Sequence, residues 1–149
     1  MEKYSLARIV LAIFLVAVTL NYPWELAQAP LYDGMDSRWA ATWHCFVASL
    51  GDGLLVLLIF VAGLRVLRRV DWFERPGASG YLVMLVSGLL LALAVEWVAV
   101  HVVHRWAYTD QMPRIPELDI GIVPIAQMLV LPPLVFRVVA KIWTRRNTK

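Results

Sequence analysis

Charge is scarce in this 149-residue chain. Asp, Glu, Lys and Arg together make up 17% of it, where a soluble domain carries about a quarter. Sixty per cent of the residues are hydrophobic, too many for the surface of an ordinary soluble domain. Cysteine is nearly absent as well. Cys45 stands alone, which excludes an intrachain disulfide and leaves the redox compartment open. No internal repeat and no low-complexity tract is present. No glycine-rich phosphate cradle follows a strand, and Ser49 lacks a G-x-S-x-G setting, so nucleotide chemistry and a serine triad find no support. The apolar windows also lack the two-residue alternation of a membrane barrel.

Long apolar runs are what the chain does have. Trp43 to Leu64, Tyr81 to Val103 and Ile120 to Phe136 each approach or exceed the roughly 17–25 residues that a helix needs to cross hydrocarbon. A fourth run, Ile9 to Leu20, would span only about 18 Å by itself. Only helices and closed barrels satisfy their backbones in lipid. The reading is an all-α polytopic membrane protein, a four-transmembrane-helix bundle forming one integral domain over 1–149. Its helices are expected at about 6–29, 40–67, 81–104 and 120–141.

The basic residues then report orientation. Lys3, Arg8, Arg65, Arg68, Arg69, Arg75, Arg137, Lys141, Arg145, Arg146 and Lys149 fall on one side, against Arg38, Arg105 and Arg114 on the other. Glu25, Asp33, Asp36, Asp110, Glu117 and Asp119 join the second group. The positive-inside rule makes both termini and the Arg65–Gly80 loop cytoplasmic, an N-in, C-in topology. That placement also accounts for the net charge of +3 without any nucleic-acid partner.

The stretch Asn21-Tyr22-Pro23-Trp24-Glu25-Leu26-Ala27-Gln28-Ala29-Pro30 follows the short first run. Ala27-Gln28-Ala29 imitates a signal-peptidase site, but Glu2 dilutes the basic start and Pro30 would hinder cleavage. The alternative is a helix continuing through Pro23, as membrane helices tolerate. Asn21, Glu25 and Gln28 then share one face at i, i+4 and i+7. A plain interfacial helix end anchored by Tyr22 and Trp24 accounts for the aromatics, though not for that alignment.

Ionisable groups at bilayer depth cost about 2.5–3.5 kcal/mol on insertion scales, so each asks for a reason. Asp52 lies about 13 Å along its helix from Trp43, Glu96 about 12 Å from His104 and Gln127 about 12 Å from Asp119. Three helices therefore place a polar group at one level in the outer half, and Asn21 and Glu25 join from the first. Cys45, Ser49 and Asp52 form a stripe in which Gly51 and Gly53 admit a close neighbour. Trp97, His101, His104 and Tyr108 form another, if the third helix runs on. Structural gluing of helices by protonated carboxyls is the competing account of Asp52 and Glu96. The loop from Arg105 to Asp119 carries Pro113 and Pro116 and reads as an ordered, extended lid. His101 and His104, supplemented by His44, Cys45 or Glu25, offer a candidate metal site.

The motifs N-Y-P-W-E (Asn21–Glu25), A-P-L-Y (Ala29–Tyr32), W-H-C (Trp43–Cys45), G-D-G (Gly51–Gly53), W-A-Y (Trp106–Tyr108), M-P (Met112-Pro113) and I-V-P-I-A-Q (Ile122–Gln127) cover nearly the whole chain. In this combination the chain resembles a family of small bacterial four-helix inner-membrane proteins of unknown function. In style, its carboxylates beside an outer aromatic loop are also similar to membrane-embedded carotenoid cyclases and hydratases. It lacks their paired-acid P-E-E motif.

The expectation is acid–base chemistry on a lipophilic, isoprenoid-like substrate reached from the bilayer. Glu25, Asp52 and Glu96 would be the catalytic carboxyls, one kept protonated by desolvation and one accepting. Asn21, Gln28, Trp97, Trp106, Tyr108 and Gln127 would bind substrate, the rings facing a developing cation. The alternatives are a metal-ion or small-solute carrier built on His101 and His104, and a structural accessory subunit. The expected partners are the bilayer of the bacterial inner membrane and a lipophilic small molecule. No cofactor is specified, and self-association into a homo-oligomer is left open.

Overall fold

A computed structural model describes residues 5–35 and 37–147, with side chains described as far as Thr144. Lys3, Asp36 and Lys149 of the charge tally lie outside the described residues, as do the side chains of Arg145 and Arg146. Four helices dominate: α1 (Leu6–Gln28), α2 (Arg38–Leu67), α3 (Gly77–Trp97) and α4 (Ile122–Asn147). All four are long and apolar enough to cross a membrane. Helix α2, with 30 residues, measures about 45 Å, half as long again as a hydrocarbon core of about 30 Å. Pro23 sits inside α1, and Pro132 and Pro133 sit inside α4, without ending either helix.

The helices form a ring, each packed on its sequence neighbour, with α4 closing against α1. Ile9, Ile13 and Ala17 of α1 and Val56, Ile59 and Phe60 of α2 meet Val135, Phe136 and Val139 of α4 in the core. Two glycines set the tightest approaches. A Cβ on Gly88 would stand 2.3 Å from the Met128 carbonyl oxygen, so α3 and α4 touch backbone to backbone there. A Cβ on Gly63 would stand 2.3 Å from the Trp72 ring.

Trp72 and Phe73 were hidden in what the sequence presents as a basic connection. That α2–α3 connection folds back between the helices, burying both rings against Phe60 and Phe136. The Trp72 indole donates to the Phe60 carbonyl at 3.3 Å. This end of the bundle, where α1 begins and α4 ends, is plugged with aromatics.

The other end is built from the α1–α2 and α3–α4 connections. A 3-10 turn (Ala29–Leu31) continues α1, and a π-turn (Val98–Val102) ends α3. Helix α3 therefore stops short of His104, which takes a left-handed conformation with φ of 49°. Residues Arg114–Ile115 (β1) and Ile120–Gly121 (β2) pair antiparallel, so this connection is extended only in part, and α4 begins two residues later than expected. The two connections are stitched together. Tyr32 and Tyr108 form a β-bridge, Asp33 N–H donates to Ala107 O at 3.0 Å, and Thr109 N–H donates to Leu31 O at 3.0 Å.

Candidate functional site: a carboxyl-lined cavity between the four helices

Gln127 of α4 is the hub. It is 2% exposed, and its Nε2 donates to Asn21 Oδ1 at 2.8 Å, Glu25 Oε1 at 2.8 Å and Asp52 Oδ2 at 3.0 Å. Its Oε1 accepts from Gln28 Nε2 at 3.0 Å, and the same Gln28 nitrogen reaches Glu25 Oε1 at 2.7 Å. Asn21 is oriented from behind, its amide donating to the Ala17 carbonyl at 2.8 Å. The i, i+4, i+7 face of α1 is thus aimed inward as one unit. Glu25 and Asp52 stand within hydrogen-bonding reach of each other.

An amide nitrogen has two hydrogens, and here three acceptors compete for them. Two carboxyl groups in mutual contact add a further repulsion unless they hold a proton between them. Among the described residues no ion pair reaches Glu25, Asp52 or Glu96, since the two salt bridges join Arg69 to Asp71 and Arg114 to Asp119. A purely structural bundle would gain more from leucine at these positions.

Glu96 was expected in the same network and is not. It belongs to a second one across the cavity, where the Tyr108 hydroxyl donates to its carboxylate. The Trp106 indole N–H lies beside the same carboxyl without a well-aligned bond of its own. Tyr108 reaches Glu96 because the π-turn reverses the chain after Val102. Arg114 holds it from the far side, with its guanidinium 5.4 Å from the ring centre and donating to the Tyr108 carbonyl at 3.2 Å. Burial first, and the hydrogen bond to Glu96 second, push the Tyr108 phenol above its ordinary range, so it remains a donor.

Both networks border one cavity of about 530 Å³, within the range of small-molecule sites. Every helix contributes: Glu25 and Gln28 from α1, Asp52 and Leu55 from α2, Glu96 and Val95 from α3, Gln127 and Met128 from α4. Trp106 and Arg105 close it from the α3–α4 connection. Gln28 Oε1 and Trp106 Nε1 are buried atoms on lining residues with no hydrogen-bond partner. Left without a partner, each such atom costs about 1–3 kcal/mol.

Tyr32 was missed by sequence reading. It lines the cavity, packs edge-on against Trp106 with ring centres 6.2 Å apart, and lies 5.5 Å from Tyr108. Burial, then the charges of Glu96, Glu25 and Asp52, drive its phenol well above the usual value. It is therefore a neutral O–H on the wall of the cavity that the three carboxyls also line. Its only sequence signal was the A-P-L-Y turn, which says nothing about direction.

Several expectations fail. Trp97 is 48% exposed and packs at a tilt against His101, outside the cavity lining, because the stripe it headed needed α3 to continue. His101 and His104 spend one ring nitrogen each on the carbonyls of Leu118 and Val100, both at 2.9 Å. Among the described residues no three of His, Cys, Asp and Glu gather at metal-binding distance. Glu25 meets Gln127 and Asp52, and of the three histidines only His44 lines the cavity. Gly51 faces open space, whereas Gly53 does admit Phe14 and Val18 of α1. Cys45 and Ser49 are buried behind the site, the serine hydroxyl donating to the Cys45 carbonyl at 2.7 Å.

No protein-family model, curated protein or solved structure matches the chain.

Proposed function

We propose that this protein sits in a bacterial inner membrane, N-in and C-in, and performs acid–base chemistry on a lipophilic, isoprenoid-like molecule. The orientation rests on the eleven-to-three division of basic residues that the sequence makes between the two sides. With that orientation the cavity occupies the outer half of the bilayer. Apolar side chains cover most of its wall, and Trp43, Val47 and Gly51 are both exposed and cavity-lining, so a lipid reaches it sideways along α2.

One observation carries the chemistry: Glu25 and Asp52 stand together on the Gln127 amide, facing that cavity. Glu25 Oε1 receives two N–H bonds, from Gln28 and Gln127. Asp52 receives one and holds the shared proton. Asp52 is then the general acid, donating to an alkene or a leaving oxygen, and Glu25 the base that removes a proton from the neighbouring carbon. Positive charge developing between them meets the rings of Tyr32 and Trp106. Glu96, held by Tyr108, fixes the far wall opposite the pair.

Incubating the purified protein with extracts of bacterial membrane lipids tests this. Mass spectrometry should find a product isomeric with, or one water different from, its precursor. Glu25→Gln and Asp52→Asn should each abolish it.

A further inference from the structure

We infer that the cavity is also an organic-cation site, which seats a lipophilic ammonium or phosphonium against the Glu25–Asp52 pair and releases one proton in doing so. This rests on the cavity being a ligand site, though not on its being catalytic.

The electrostatic inventory leads there. Glu25 comes from α1, Asp52 and His44 from α2, and Glu96 from α3; Tyr32 and Arg105 come from the connections, with Tyr108 behind Glu96. Helix α4 adds only neutral groups, among them Pro124, Gln127 and Met128. His44 and Arg105 are exposed, where solvent screens them, and no ion pair among the described residues neutralises any of the three acids. Three carboxyls inside a low-dielectric bundle cannot all stay ionised without a compensating charge. A proton on one of the carboxyls supplies part of it.

A cation with apolar substituents supplies it better. Its charge lies against carboxylate oxygen, its substituents against Leu55, Val95 and Met128, and its flank against the Tyr32, Trp43 and Trp106 rings. Ring faces and carboxylates are the groups by which weakly hydrated cations are held. When it binds, the O–H bond of the protonated carboxyl breaks and the proton goes to solvent. Nothing else is made or broken.

Titration calorimetry of the full-length protein in neutral maltoside detergent tests this with two probes of one shape and opposite charge. Tetraphenylphosphonium cannot gain or lose a proton, so any proton released comes from the protein. It should bind, with heat that depends on the buffer's ionisation enthalpy. Its affinity should rise about tenfold per pH unit while one proton is displaced. Asp52→Asn should weaken it about a hundredfold, the loss expected for one desolvated charge partner. Tetraphenylborate should not bind. Equal binding of the borate, or phosphonium binding that ignores pH and releases no proton, overturns the inference, and neither reading needs a variant to fold. Conversion of a neutral lipid by protein that ignores phosphonium would sink the cation site and leave the acid–base reading standing. Phosphonium binding without lipid conversion would do the reverse.

Discussion

The side-chain amide of Gln127 reaches the Asp52 carboxyl at 3.0 Å, joining α4 to α2 across the middle of the ring. The same nitrogen holds Glu25 and Asn21, so one residue orients both acids. Gln127→Leu should leave Asn21, Glu25 and Asp52 without their shared donor. Loss of activity should accompany a destabilisation of about 1–3 kcal/mol per orphaned group, read as a lower midpoint in detergent unfolding. An active, equally stable variant would remove Gln127 from the account.

Tyr108 and Glu96 form the second relationship. Tyr108→Phe removes the hydroxyl and keeps the ring that Arg114 and Tyr32 pack against. Activity should fall while the folded state survives, a split that circular dichroism and the lipid assay resolve together.

Tyr32 and Tyr108 also set an alkaline limit. Both phenols have folded values above the unfolded value of about 10. A raised value means that the folded state keeps a proton which the unfolded state loses. Their contribution is thus complete below about pH 10 and drains away as the pH climbs further. Unfolding followed from pH 9 to 12 should show stability falling more steeply in wild type than in Tyr32→Phe. Parallel curves would mean that Tyr32 is not buried beside the carboxyls.

Much of this arrangement was legible before any coordinates. Helix positions followed from apolar length. Counting 1.5 Å per residue brought Asp52, Glu96 and Gln127 to one level, with Asn21 and Glu25 joining from α1, and all but Glu96 meet on the Gln127 amide. What failed lay where chain direction changes. The π-turn at Val98–Val102 cancels the Trp97 stripe and folds Tyr108 back onto Glu96, and no periodicity announces a five-residue turn. Trp72 and Phe73 sit between Asp71 and Glu74 and among arginines, so charge hid two deeply buried rings. Tyr32 depended on a bridge to a residue 76 positions away in the chain.

Packing makes its own prediction. Gly88→Ala places a methyl 2.3 Å from the Met128 carbonyl and should force α3 from α4, lowering stability by about 1–3 kcal/mol or more. Gly51→Ala meets nothing within 4 Å and should fold normally. Equal behaviour of the two would contradict the α3–α4 contact.

Orientation is tested by single cysteines in a Cys45→Ser background. A cysteine at Glu117 should react with an impermeant maleimide added to intact cells, and one at Gly77 should react only after lysis. Labelling at Gly77 in intact cells would invert the topology and move the cavity to the inner half.

The most direct test of the central claim, that Glu25 and Asp52 work as an acid–base pair on a lipid, is the conversion assay with Glu25→Gln. The amide keeps the shape and the hydrogen-bonding reach to Gln127 while losing the charge. The account predicts a folded, membrane-inserted protein with wild-type phosphonium-free stability and no lipid product. A fully active Glu25→Gln protein would contradict it.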